Sequence, residues 1–535
     1  MELLAPIKRS KCYTDVYIMA KNLEQLKESL WTAANNLRAN SPLSLNQFLE
    51  PVLGLIFLKF ADVRFAQATK ELEEERAKKN SVRQRPLSKT DYHAKHILYI
   101  PKEAMFTTLL ELPEDATLGQ HINDAMKAIE LANPELAGVL PKSYQILDNE
   151  TIISLLKNFN SIPTDIEGDA FGQIYEYFLG KFAISDGRSG GEFFTPSSIV
   201  KLIVEIIEPY EGRVYDPACG SGGMFVQSHE FVRQHLKNGA KKNAASKLSI
   251  YGQEKTEQTV RISKMNLALH GLSGDIKQGN TFYEDEHDSV GKFDFTMANP
   301  PFNVSGIDYG RIAGDKRYPY GLPKQDGKGT DNGNYLWIQH FWSSLSPKGR
   351  SGFVMANSAS DAGGREKEMR KQLVEHHAVD CIVAVGPNMF YNVTLPVTLW
   401  FLDKGKKKTD RKDSILFIDA RNIFTQIDRA HRTWTNEQIE QITAIVRSYR
   451  GEVGYKKYED VAGLCKVVSV DDVVSSDYSL NPGRYVGINV HDDIDYNNEE
   501  KTIERLHTSF KLLTEESRLL EEKIFSNLKK INFDS

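Results

Sequence analysis

"VYDPACGSGGMF", Val214 to Phe225, decides the fold. A short apolar run ends on Asp216, crosses a turn carrying Gly220, Gly222 and Gly223, and resumes as the helical pattern "MFVQSHEFVRQHLK". Strand, acid, glycine turn and helix is how an open α/β sheet starts around a ligand, because residues without a Cβ permit a tight turn and a close backbone approach. The turn has neither the Gly-Lys-Ser/Thr of a P-loop nor the spacing of GxGxxG. Asp216 would repel a diphosphate and suits a ligand with a cationic or amine end. Taken alone, the stretch reads equally well as plain turn chemistry.

Downstream, apolar runs alternate with helical patterns. The runs are "RVYDPAC", "LSIYGQE", "KFDFTMANP", "RSGFVMANS" and "VDCIVAVG"; between them lie "TVRISKMNLALHG", "YLWIQHFWSSLSP" and "REKEMRKQLVEHH". Such alternation predicts a parallel α/β sheet. Two further runs, "TLPVTLWFLDKG" and "DSILFIDAR", are joined by the basic loop "KGKKKTDRK" and are expected to close the sheet as an antiparallel hairpin. The second strand ends on Glu254, the usual place for a carboxylate that grips ribose hydroxyls. The third region, "GDIKQGNTF", ends on Asn280, placed to face an adenine edge.

The fourth run stops at "ANPPF". Proline cannot donate to a ladder, so the strand must end at Pro300, and the residue before it is held extended. The segment is either a plain strand exit or a device in which the Asn299 amide oxygen and the Pro300 carbonyl grip an NH₂ group. Phe302 would then stack on the ring that bears it.

Upstream, residues 20–180 read as helical: "NLEQLKESLWTAANNLR", "SPLSLNQFLEPVLGLIFLKFADVRFAQATKELEEERAKK", "TIISLLKNFNSI" and "DAFGQIYEYFLGKFAI". Ser41 before Pro42 is the expected start of the second helix. At the other end, Ile503, Leu506, Phe510, Leu513, Leu520, Ile524, Leu528 and Ile531 step by three or four, predicting a long amphipathic helix over 495–531. The chain's 535 residues exceed one ordinary domain. The expected division is a helical domain over 1–180, the α/β domain over 181–470 and a C-terminal segment over 471–535. A net charge of −5 leaves any nucleic-acid contact to local basic patches. Four cysteines, Cys12, Cys219, Cys381 and Cys465, lie far apart, which disfavours a disulfide scaffold and a structural zinc site. The N-terminus is no signal peptide and no run is long enough to span a bilayer, so a cytoplasmic protein without metal is expected.

"DPACGSGGMF" and "ANPPF", preceded by "GGEFFTPSSIVKLIV", resemble the amino-group DNA methyltransferases. The match is nearest to the methylation (modification) subunit of type I restriction–modification systems, which are N6-adenine enzymes. "RYPYGLPKQDGKGTDNGNYLWIQHFWSSLSPKGRSGFVMANS", "GGREKEMRKQLVE", "NMFYNVTLPVTLWFL" and "DYSLNPGRYV" extend the resemblance over nearly the whole chain.

The resemblance implies a Rossmann-like class I methyltransferase sheet with an N-terminal helical domain and a C-terminal helical tail, using S-adenosylmethionine. Glu192, Phe193, Phe194, Thr195, Pro196 and Ser197 would wrap the cofactor; Asp216, Gly220, Ser221, Gly222 and Gly223 would cradle its methionine part, Glu254 its ribose and Asn280 its adenine. Asn280 stands where the family usually has an acid. Asn299, Pro300, Pro301 and Phe302 would form the catalytic segment on a flipped adenine. The loop from Asn303 to Asn334 is where target-base contacts belong, with Arg311, Lys316, Arg317 and Lys328 placed for phosphates or simply solvated. The basic loop at 404–412 has the same two readings.

Double-stranded DNA is the implied substrate. A separate specificity subunit would take two methylation subunits, and a motor-nuclease subunit would join for restriction. The tail helix would dock on the specificity subunit or on the chain's own N-terminal helices. Two alternatives stand beside this: an amino-methyltransferase acting on protein glutamine or RNA, and an inactive assembly subunit.

Overall fold

The computed structural model describes residues 10–78, 85–113, 117–163, 170–185, 195–235, 247–390, 395–428 and 431–487, with a few isolated positions between 507 and 521. The apolar positions expected for the tail helix lie outside the described residues, as do Glu192, Phe193 and Phe194.

The N-terminal part is helical. Helices α1 (Ser10–Ala39) and α2 (Leu45–Lys78) are followed by the short α3 (Lys89–His93) and α4 (Phe106–Leu110), then α5 (Leu118–Ala132), α6 (Asn149–Asn160) and α7 (Ala170–Ser185). The second helix is capped by Ser44, not Ser41. The Ser44 and Gln47 side chains bond each other's backbone N–H, a capping box, while the Ser41 hydroxyl donates back to the Arg38 carbonyl at the end of α1. Within α2, residues 51–60 are all buried. A run that is apolar except for the buried Lys59 makes this the central helix of its domain, enclosed on every side.

The α/β part runs α8 (Ser197–Ile207), β1 (Gly212–Asp216), α9 (Gly223–His235), β2 (Leu248–Glu254), α10 (Glu257–Leu269), β3 (Gly274–Gln278) and β4 (Phe293–Ala298). After α11 (Tyr309–Ile312) and the small ladder β5 (Gln325–Asp326) with β6 (Gly329–Thr330) come α12 (Asn334–Ser344), β7 (Leu345–Ala356), α13 (Gly364–Glu375), β8 (Val379–Val385), β9 (Val397–Asp403) and β10 (Ser414–Asp419). A second small ladder, β11 (Thr425–Gln426) with β12 (Arg432–Thr433), precedes α14 (Asn436–Arg450), β13 (Cys465–Ser469) and α15 (Val470–Ser475).

Nine strands form one sheet in the order β13-β10-β8-β9-β7-β4-β1-β2-β3. The side from β3 to β7 is entirely parallel. The expected hairpin between "TLPVTLWFLDKG" and "DSILFIDAR" does not form. Strand β9 inserts antiparallel between β7 and β8, and β10 pairs parallel with β8. All seven residues of β9 are buried; a strand apolar on both faces belongs in the middle of a sheet, not at its closing edge. Helices α8, α9 and α14 cover one face, α12 and α13 the other. Because β1 and β4 are neighbours while β2 and β3 lie beyond β1, the winding reverses between β1 and β4. Ligands bind at such a switch point, outside the carboxyl ends of the strands.

Candidate active site

A cavity of about 490 Å³ opens at that switch point. Thr195, Ser197, Asp216, Gly220, Ser221, Gly223, Glu254, Asn280, Asn299 and Pro301 all line it. Asp216 ends β1 at 2% exposure, its carboxylate accepting the Ala218 N–H at 2.9 Å. Burial, with Glu254 nearby, pushes its carboxyl well above the ordinary range. The turn that follows has left-handed φ values of 50° at Gly220 and 80° at Gly222, which side chains with a Cβ rarely adopt. A Cβ on Gly222 would also lie 2.8 Å from the Ser263 hydroxyl of α10. Cys219 is buried in the turn, and desolvation pushes its thiol up.

The strand ends are laced together. The Gly220 N–H donates to the Glu254 carboxylate at 3.2 Å, and the Thr281 hydroxyl donates to the Pro217 carbonyl at 2.6 Å. The Asn280 amide oxygen accepts the Phe282 N–H at 3.2 Å, capping the turn after β3. On the β4 side, Pro300 is buried and Asn303 takes a left-handed φ of 55°. Asn334, the first residue of α12 and buried, holds it reciprocally: its oxygen accepts the Asn303 N–H and its NH₂ donates to the Asn303 oxygen, both at 2.8 Å. Phe302 packs half-buried between the cores of the two sheet faces and is not among the cavity-lining residues.

Residues 166–493 match the N-6 DNA methylase family, and residues 26–159 match the HsdM N-terminal domain. The chain belongs to the N-6 DNA methylases, among the methylase subunits of type I restriction enzymes. It is 38% identical over 512 residues to the type I restriction enzyme MjaIX methylase subunit of Methanocaldococcus jannaschii, covering 92% of this chain and 89% of that one. Identity is 37% over 428 residues to the HindI methylase subunit of Haemophilus influenzae, covering 77% of this chain and 92% of the relative. The type I methyltransferase subunit of Streptococcus thermophilus shares the fold, with a TM-score of 0.69 at 22% identity, over 87% of this chain and 100% of that one.

In this N-6 DNA methylase the loop after β4 is pinned, which the sequence did not reveal. Arg317 is 2% exposed and is not a phosphate contact. Its guanidinium donates to the carbonyls of Thr281 at 2.5 Å, Glu284 at 3.1 Å and Phe282 at 3.2 Å, and pairs with Asp315 at 2.6 Å. Those carbonyls belong to the turn that starts at Asn280, so the loop beyond β4 braces the third strand end. Arg311, Lys316 and Lys328 are exposed, with Arg311 lying 3.8 Å over the Tyr283 ring.

The basic loop at 404–412 is no free hairpin tip either. Lys406 is buried and donates to the Val379 carbonyl at 2.5 Å, and Arg411 pairs with the fully buried Asp380. Trp337 of α12 was also missed as a site residue. It lines the cavity, and its buried indole N–H finds no acceptor among the described residues. Among those residues no helix is long and apolar enough to cross a membrane, and no cluster could hold a metal.

Proposed function

We propose that the chain methylates N6 of adenine in duplex DNA with S-adenosylmethionine, as the modification subunit of a type I restriction–modification complex. The observation that carries this reading is the convergence of Asp216 and Asn299, from adjacent strand ends, on one cavity. Three features suit the cofactor. The cavity volume lies within the roughly 300–1,000 Å³ of small-molecule sites. Gly220 and Gly223 present backbone where an added Cβ would meet nothing within 4 Å. Asp216 and Glu254 complement a cationic ligand, and the Trp337 N–H awaits an acceptor.

When bound, S-adenosylmethionine supplies an electrophilic methyl carbon. Asp216 and the turn Gly220–Gly223 would hold its methionine part, Glu254 its ribose and Asn280 its adenine, with residues 192–197 wrapping over it. Asn299 and Pro300 act on the target base. The N6 lone pair is conjugated into the ring, so the nitrogen is a poor nucleophile. Accepting both N6–H groups on the Asn299 amide oxygen and the Pro300 carbonyl draws it toward a tetrahedral shape and stabilises the positive charge that develops there.

The base must leave the duplex, at a cost of about a few kcal/mol. Stacking on Phe302 requires its ring to turn toward the cavity when DNA binds. Arg311, Lys316 and Lys328 are among the exposed loop cations available to phosphates. The helical domain over 1–180 and the segment over 471–535 would dock the specificity subunit, with two methylation subunits on each. A motor-nuclease subunit would complete the restriction complex in the cytoplasm. Support comes from the relatives, which are themselves methylase subunits of type I restriction enzymes.

The test is product analysis. Incubated with its specificity subunit, duplex DNA and methyl-labelled S-adenosylmethionine, the chain should leave label in N6-methyladenine. Label in N4-methylcytosine, RNA or protein would overturn the assignment.

A further inference from the structure

The cavity is not built by the α/β domain alone. Leu45 and Leu49 of α2, within the HsdM N-terminal match, line it together with Glu176, Leu179 and Phe182 of α7, which lies in the N-6 DNA methylase match but shares its hydrophobic core with α2. Ile262 of α10 joins the two parts. It is 8% exposed, lines the cavity, and belongs with Met265 and Leu269 to the same hydrophobic core as α2 and α7. One turn of α10 is therefore at once the floor on which the helical domain sits and a side of the ligand site. Next to Ile262, the partly buried Arg261 pairs with the partly buried Glu50 of α2 at 2.6 Å, and with Glu257 of its own helix at 3.0 Å. Glu176 brings a carboxylate to a wall otherwise apolar in this part.

We infer that the N-terminal helical domain is a working part of the cofactor site, so that cofactor affinity depends on how that domain is docked and cofactor binding in turn tightens the docking. The inference rests on the cofactor reading above. Its physical basis is linkage: a ligand that touches both sides of an interface stabilises the interface by the free energy the interface lends to the ligand. Anything that shifts the helical domain, a partner or DNA included, then changes occupancy of a site on the other domain.

Hydrogen exchange of the full wild-type chain, with and without S-adenosylhomocysteine, tests this. Slowed exchange is expected over residues 45–60 and 171–182 as well as over 216–223. Protection confined to 216–223 and the strand ends would overturn the inference and leave the cofactor reading standing. No protection anywhere would overturn both. Glu50→Gln, whose side chain is not among those lining the cavity, should weaken S-adenosylhomocysteine binding by a factor of about five through the loosened interface. Unchanged affinity in a folded Glu50→Gln chain would contradict the coupling.

Discussion

At Asp216, burial and the proposed binding of a cationic ligand pull in opposite directions. A carboxyl raised by desolvation favours its neutral form, so the stability it contributes is present at low pH and is lost as pH rises through its folded-state value. A cationic ligand favours the carboxylate. Binding of S-adenosylmethionine should therefore release a proton and strengthen as pH rises through the ionisation of Asp216. Calorimetry in two buffers of different ionisation enthalpy checks the release. Asp216→Asn should abolish it and weaken affinity at alkaline pH by roughly tenfold, the equivalent of about one pKa unit. Asp216 and Asn299 could be singled out in the sequence because each ends an apolar run at an abrupt turn. Arg317 could not: in a glycine-rich, charged loop it looks solvated, and its burial depends on carbonyls some 35 residues upstream that only the folded turn after β3 presents.

At the scale of elements, the loop between β4 and α12 is a brace, not a loose strap. Arg317 spans to the turn at 281–284, Tyr318 donates to the Phe282 carbonyl at 3.0 Å, and Asn334 pins Asn303. Arg317→Met would take the donor from the Thr281 carbonyl and the guanidinium from Asp315, while the Phe282 and Glu284 carbonyls would keep only Tyr318 and Gln253. A loss of about 3 kcal/mol is expected, since stripping one partner from a buried charged network leaves the others uncompensated. Urea unfolding of the variant measures it, and the cofactor KM should rise with it because Asn280 rides on the braced turn. The parallel half of the sheet was legible in the alternation of runs, whose register depends on local pattern. The antiparallel insertion of β9 was not, because a run buried on both faces says only that it is central and not between which neighbours. Helix α14 went unread despite its apolar positions Ile439, Ile442 and Val446 and the capping box of Thr435 with Gln438.

For the molecule as a whole, two devices hold the parts in register. Opposite the site, Asp380 is paired with Arg450 at 3.1 Å and with Arg411, while Arg447 ties α14 to Glu205 of α8 at 2.9 Å. On the other flank, α10 serves both domains through Ile262 and Arg261. Helical character over the first third was readable from 3.6-residue periodicity. That its core would extend into a helix of the α/β domain was not, because the α10 sequence carries apolar positions for two partners at once. These frames fix the cavity that Asn299 lines. The most direct measurement is methyl transfer by Asn299→Ala, assembled with the specificity subunit on duplex DNA, alongside its affinity for S-adenosylmethionine. Cofactor binding within about twofold of wild type and methylation reduced by about a hundred- to a thousandfold are expected, the scale seen when one positioned group that stabilises developing charge is lost. Methylation retained in a variant that still binds the cofactor would contradict that role for Asn299.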